Sequence, residues 1–191
     1  MSIEDVRADE RYLKLLAEKF PNISAVATEI VNLEAILSLP KSTEHFLSDL
    51  HGESGAFIHM LKNASGVIRR KVDDIYGDTL SEAEKRALCA MIYYPDERLE
   101  YYHSLPDINL EEIYRTQLHQ VIAVARAVTV KYTRSKVRKL LPKDFAYVIE
   151  ELLHESTSEP NRQSYYNAII EAIINTGRAE DLLIAISYLI H

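Results

Sequence analysis

The chain has 191 residues, of which only 5 are Gly and 6 are Pro, so the composition favours long helices over turn-rich sheet. Its residues are 47% hydrophobic and 27% charged, which excludes a disordered or low-complexity chain and supplies apolar material for a sizeable core. The formal net charge is -7, but residues 113–143 contain eight basic and no acidic residues, against 29 acidic and 14 basic residues elsewhere. This balance disfavours general nucleic-acid binding and leaves local phosphate binding open.

The single cysteine, Cys89, cannot form an intramolecular disulfide, and its apolar helical surroundings are typical of a small buried side chain in a reducing compartment. No basic and apolar leader precedes the acidic start of the chain. No uncharged apolar run approaches the roughly 20 residues that span a bilayer. We therefore expect a soluble, cytoplasmic protein with no membrane partner.

In chain order, apolar spacing predicts two helices before Pro40, the first ending at Pro21 and the second covering residues 24–37. Residues 44–49 form a short run between turn signals and predict a strand. After Gly52 the helical pattern returns, with helices over residues 56–63, 67–76, 82–94, 109–132, 143–154, 161–176 and 179–190. The predicted fold is predominantly α-helical with one short β-strand, divided into a helical pair (1–43), a strand and turn (44–53) and a helical region (54–191).

Two features are unusual for a complete domain. The chain stops within an amphipathic pattern, with no Gly, Asn or Pro stop signal after Ile190. A single strand also cannot satisfy its own backbone donors and acceptors, because a sheet needs partners. Both features predict that the sequence continues elsewhere, and an unpaired strand would either pair with another copy or give up its extended form.

The most informative motif is D-x-H-G-E, formed by residues 49–53. Asp49 and His51 are two residues apart at the end of the predicted strand, so their side chains project to the same side. An oxygen and a nitrogen ligand suit a divalent ion such as Mn, Fe or Zn. Gly52 permits a tight turn, and Glu53 can open the next helix. The alternative is structural, with Asp49 capping a helix and His51 hydrogen-bonded in a core.

Residues 48–53 resemble the first motif of the calcineurin-like metallophosphoesterases. Together with residues 69–86, 131–139 and 144–155, they resemble the class 3 fructose-1,6-bisphosphatases of bacteria, and the similarity covers nearly the whole chain. The resemblance implies that the chain is the N-terminal portion of an α/β enzyme that uses manganese to remove the 1-phosphate of fructose 1,6-bisphosphate, a gluconeogenic step.

The resemblance carries metal-ligand roles to Asp49 and His51 alone. The later motifs of the family, among them G-D-x-x-D-R-G and a G-N-H segment, supply the other ligands and do not occur in these 191 residues. A two-metal phosphatase needs both metal sites to activate water and clamp the phosphoryl oxygens. We therefore expect the 191-residue chain alone to be catalytically inactive, with its catalytic residues still to be assigned.

Basic residues supply the second set of candidates. Arg134, Lys136 and Arg138 could hold a sugar phosphate, because guanidinium forks match phosphate oxygens and Lys adds point charge; the alternative is a solvated helix face. Residues 69–71 form a second basic cluster. Asp73 and Asp74 follow it directly, so these basic side chains are predicted to form ion pairs rather than to bind phosphate. Tyrosine pairs at residues 93–94, 101–102 and 165–166 indicate either a homo-oligomer interface or half-buried helix positions.

Two functions remain to be compared. The first is the enzyme portion described above, with a sugar bisphosphate as its small-molecule partner. The alternative is a self-sufficient helical interaction or regulatory module without catalysis, in which Asp49 and His51 have no catalytic use and the apolar ends mediate assembly.

Overall fold

The computed structural model describes residues 9–41, 44, 46, 48, 51–63, 66–154 and 160–191. The chain divides between Pro40 and Lys41 into two compact units. The described ranges contain a 3-10 turn at Gly77–Thr79 and eleven α-helices: α1 (Glu10–Lys19), α2 (Ile23–Leu37), α3 (Ser54–Asn63), α4 (Val67–Tyr76), α5 (Glu82–Tyr93), α6 (Pro95–Ser104), α7 (Leu110–Thr129), α8 (Arg134–Leu140), α9 (Ala146–His154), α10 (Pro160–Asn175) and α11 (Ala179–Ile190). The predicted predominance of helix is confirmed.

The first unit is the helical hairpin α1–α2. The Asp9 carboxylate caps α1 by accepting hydrogen bonds from the backbone N–H groups of Arg11 at 3.0 Å and Tyr12 at 3.1 Å. The Asn22 side chain caps α2 by accepting from the Ala25 N–H at 2.9 Å. Neither helix contains a buried residue. Local caps and contacts between two half-exposed helices therefore define this unit, which has no closed core.

The second unit is a helical bundle centred on α7 and α11. Helices α4, α5, α9 and α10 also pack against α7, and α11 contacts α5 and α6 as well. Leu118 and Ile122 of α7, and Leu182, Leu183 and Ile186 of α11, are each at most 1% exposed. Leu118 and Ile122 are four residues apart, and Ile186 follows Leu182 and Leu183 by four and three, so each set lies on one stripe of its helix and the two stripes exclude water.

Two of the predicted helix boundaries have the expected geometry. The Ser81 hydroxyl accepts from the Glu84 N–H at 3.3 Å while the Glu84 carboxylate accepts from the Ser81 N–H at 2.7 Å, which completes a capping box at the start of α5. Gly177 has φ +70 after α10, and the N–H groups of Gly177 and Arg178 donate to carbonyls of the preceding turn. These two hydrogen bonds form a Schellman motif at the end of α10. The motif needs a left-handed residue at position 177, and glycine adopts that conformation without a steric penalty.

The helix boundary at Pro95 differs from the prediction. The sequence places a helix end at this proline, and α5 does end at Tyr93, but Pro95 also starts α6. A first-turn proline is tolerated because the N–H that it lacks has no intrahelical partner there. Likewise, the long predicted helix ends at Thr129, and a separate short helix, α8, starts at Arg134 after the cap Thr133.

The predicted strand over residues 44–49 is not confirmed. Glu44, Phe46 and Ser48 belong to no strand, and Phe46 is 91% exposed. Residues 45, 47 and 49 lie outside the described residues. No other described segment is extended alongside them to offer backbone pairing, which is what a strand needs.

Individual side chains agree with the sequence interpretation. Cys89 is buried, and burial raises the pKa of its thiol, as expected for a small core residue. Tyr102 and Tyr166 are buried while their neighbours Tyr101 and Tyr165 are exposed, the pattern of half-buried helices. Among the described helices, none is long and apolar enough to cross a membrane.

Candidate functional site

The motif D-x-H-G-E ends in a tight backbone turn. His51 and Gly52 both have left-handed backbone angles, with φ +49 and +74. The Ser54 N–H donates to the Gly52 carbonyl at 3.0 Å, and the Phe57 N–H donates to the Glu53 carbonyl at 3.1 Å, which starts α3. The predicted roles of Gly52 in the turn and of Glu53 at the helix opening are both present. A left-handed histidine is uncommon, and such positions concentrate at functional sites.

This turn fits a metal-ligand role for His51 by exposure and donor type. The His51 imidazole is exposed on the turn, and an imidazole nitrogen beside a carboxylate suits a divalent ion of intermediate hardness. Asp49, the other predicted ligand, lies outside the described residues. Within the described ranges, no three His, Cys, Asp or Glu side chains cluster as a metal site. His51 thus fits as one ligand of a site that needs further donors.

Arg134, Lys136 and Arg138 do not converge on one point. All three lie on α8, and residues two positions apart on a helix differ by about 200° in direction, so Lys136 lies opposite the other two. The Arg138 Nε atom lies 3.6 Å from the Glu150 carboxylate on α9. The Lys136 Nζ atom lies 4.5 Å from the centre of the Tyr132 ring.

Lys136 lines a cavity of about 270 Å³ to which Arg134 and Arg138 contribute no lining atoms. Its walls are apolar residues from the ends of α4, α7, α8 and α11, and its polar lining includes Lys131, Tyr132 and His191. A concave space with apolar walls and a few polar groups is typical of a small-molecule site. The two lysines give it a positive character.

Lys131 also borders a second, neighbouring groove of about 510 Å³, which Arg70 and Lys71 line as well. Asp73 and Asp74 also line this groove, and the Lys71 ammonium is 3.4 Å from the Asp74 carboxylate. Part of the positive charge of this groove is therefore already balanced, as the ion pairing predicted for residues 69–71 requires.

Ion pairs join α4 to α5 next to the second groove, which Asp73 also lines. The Lys85 ammonium contacts the carboxylates of Asp73 at 3.0 Å and Glu82 at 3.3 Å, and Arg69 contacts the same two carboxylates at 3.1 and 2.6 Å. Hydrogen bonds from Lys85 and Arg69 hold the pKa of the Asp73 carboxyl below its ordinary value. The Lys85 side chain is only 9% exposed, so this network fixes the position of α4 beside α5.

Sequence reasoning selected Lys136 and missed the partners that give it a cavity. Lys131 belongs to the acid-free basic run, so its charge was visible in the sequence. Leu189 and His191 lie about sixty residues after Tyr132 in the chain, and nothing in the sequence indicates that they share a cavity with it. Only the packing of α11 on α7 brings these residues together.

The fold and these features define a helical protein with an exposed histidine turn and a lysine-lined cavity suited to an anionic ligand. The chain belongs to the Firmicute fructose-1,6-bisphosphatase family, whose sequence profile matches residues 11–191. Its resemblance to this family, inferred above from the motifs, is confirmed.

The relatives of the chain are much longer proteins. It is 57% identical over 187 residues to a class 3 fructose-1,6-bisphosphatase of Parabacteroides distasonis, an alignment that covers 98% of this chain and 28% of that protein. The class 3 fructose-1,6-bisphosphatases of Clostridium novyi and Alkaliphilus metalliredigens are 54% and 52% identical, over 99% and 98% of this chain and 28% of each protein. The chain thus spans 28% of the length of these relatives. No solved structure matches it.

Proposed function

We propose that this chain is the N-terminal part of an enzyme that hydrolyses the 1-phosphate of fructose 1,6-bisphosphate and so produces fructose 6-phosphate for sugar synthesis in the cytoplasm. The observation that carries the proposal is the 57% identity, over almost the whole chain, to a fructose-1,6-bisphosphatase. The lysine-lined cavity supports an anionic substrate. The chain would contribute the helical bundle and the first metal-ligand turn.

In this proposal Asp49 and His51 hold one manganese ion of a metallophosphoesterase-type site. Bound metal ions in such a site stabilise charge on the phosphoryl oxygens and lower the pKa of a bound water. The left-handed turn at His51 and Gly52 directs the chain away immediately after the ligand, which leaves the imidazole accessible. Residues 44–49 would become a strand once the rest of an α/β core offers neighbours for pairing.

The basic residues would act on the phosphate that is not cleaved. Lys136 and Lys131 are the better placed, because both line the same cavity and a bisphosphate brings several anionic oxygens. Arg134 is exposed on the other side of α8, and Arg138 is oriented toward Glu150, so either would need a substrate bound outside the cavity.

A chimera tests the proposal. This chain would replace the matching segment of the Parabacteroides distasonis enzyme, and phosphate release from fructose 1,6-bisphosphate would be measured with manganese present. We expect activity in the chimera and none in the 191-residue chain alone. The variant His51→Asn keeps a residue that tolerates left-handed backbone angles but removes the imidazole, and we expect it to lower kcat/KM by about 100-fold or more.

The matched control is His154→Asn in the same chimera. His154 is an exposed histidine at the end of α9, and its replacement should leave kcat/KM unchanged. A His51→Asn chimera with unchanged kcat/KM would contradict the proposed ligand role of His51. Phosphate release by the isolated chain above the level of its Asp49→Ala variant would contradict the expected inactivity.

A further inference from the structure

The hairpin α1–α2 carries an apolar surface that its own unit does not cover. Ten large apolar residues of these two helices are between 39% and 88% exposed, and neither helix has a buried position. Leu13 and Leu15 lie two positions apart on α1 and differ by about 200° in direction, so only part of this set can belong to one surface.

The apolar residues of α2 follow a regular spacing. Ile23, Val26, Ile30, Leu33 and Leu37 are separated by alternating steps of three and four residues, and their exposed fractions range from 41% to 88%. This spacing is the a/d pattern of helices that pack side by side along a continuous seam. We call these five residues the α2 seam. A seam of this kind is matched by another amphipathic helix.

The hairpin also contains a groove that a helix could enter. It has a volume of about 570 Å³ and lies between the two helices, with Leu16 on α1, Phe20 directly after α1, and Val26, Ile30 and Leu33 on α2. Three of the α2 seam residues thus form one wall of the groove. The seam of a second hairpin would find apolar side chains from both helices there.

Charge is distributed in a complementary way between the two helices. Helix α2 carries Glu29 and Glu34 and no basic residue, whereas α1 carries three basic residues against two acidic ones. Lys19 and Glu29 both line the groove. When α2 of one chain lies beside α1 of another, opposite charges therefore come together at the rim.

We propose that the α1–α2 hairpin binds a second copy of this chain through a two-fold interface, in which each α2 seam occupies the groove of the other hairpin. The four helices then form a bundle whose core is made of the residues that a single hairpin exposes. Glu29 of each chain faces Lys19 of the other. This assembly is independent of the proposed phosphatase activity.

Light scattering on the full 191-residue chain tests the proposal. At about 100 µM, above a dissociation constant in the micromolar range, we expect the mass of two chains. Ile30→Lys places a charge in the seam and should give the mass of one chain. Asn32→Lys adds the same charge at an exposed position of α2 outside the seam, and it should remain dimeric. Circular dichroism would verify equal helix content.

Charge exchange adds a test in which self-association is first lost and then restored by mixing. Glu29→Lys and Lys19→Glu should each weaken self-association, because each places like charges across both rims. An equal mixture of the two variants should form a mixed dimer, since both rims then join opposite charges. A monomeric wild-type chain, a dimer that survives Ile30→Lys, or a mixture that stays unassociated would each overturn the proposal.

Discussion

The two units of this chain contain similar helices but bury them differently. Helix α2 has the higher share of apolar residues for its length, yet all of its positions are accessible, whereas α7 buries six positions and still carries charged residues. The difference lies in the number of neighbours. Helix α7 is surrounded by α4, α5, α9, α10 and α11, and α2 has one described partner within its unit. An apolar stripe stabilises a fold only where other elements cover it.

The largest expected change in stability comes from a substitution that creates a cavity in the centre of the bundle. Ile122→Ala removes a side chain that is 1% exposed at the contact of α7 with its neighbours. We expect the free energy of unfolding to fall by about 2–5 kcal/mol, because the apolar contact is lost and a void remains. Urea denaturation followed by circular dichroism would measure it. A loss below about 1 kcal/mol would mean that the bundle centre is not the main source of stability.

A smaller effect is the dependence of the free energy of unfolding on pH near neutrality. It is expected in the bundle and not in the hairpin, because α1 and α2 contain no histidine. His119 of α7 packs with its ring centre 5.2 Å from that of Tyr166, and burial, with a contribution from nearby Arg115, lowers the pKa of its imidazole below 6.5. The folded chain therefore takes up fewer protons than the unfolded chain just below pH 6.5. The stabilisation is present above that pH and is lost as the pH falls through the lowered pKa.

Comparing urea denaturation at pH 7 and pH 5 for the wild type and His119→Leu measures this effect. We expect the wild type to lose more stability than the variant over that interval, since the variant has no imidazole to protonate. An equal or larger loss in the variant would contradict the assigned direction.

The smallest effect is expected in the hairpin. Leu33→Ala removes a side chain that is 49% exposed in α2, so in dilute solution the free energy of unfolding should change by less than about 0.5 kcal/mol. Urea denaturation at low protein concentration would measure it. A loss comparable to that of Ile122→Ala would show that Leu33 is covered within a single chain, and it would remove the contrast between the two units.

Local sequence signals predicted much of the fold. The capping box at Ser81 and the glycine stop at Gly177 were both readable because each depends on residues within one helical turn. The start of α6 at Pro95 was not, since proline both ends one helix and begins another. The strand at residues 44–49 was predicted from its pattern alone, and a strand exists only where neighbouring backbone is available.

The candidate site divides in the same way. The turn at His51 and Gly52 was anticipated from the motif, because a glycine permits a left-handed backbone. The separation of Lys136 from Arg134 and Arg138 followed only from the helical form of α8. The sequence could show a run of positive charge, but it could not show which charges shared a cavity.

By itself, the sequence of this protein determined its helical character, its helix caps and its family, because these depend on residues close together in the chain or on similarity to other chains. The tertiary structure decided which apolar stripes are buried and which basic side chains converge. Lys131 and Lys136 meet the end of α11 because α11 packs along α7, whereas α2 has only α1 as a neighbour within its own unit. Both outcomes depend on contacts between distant segments, which periodicity in one segment cannot specify.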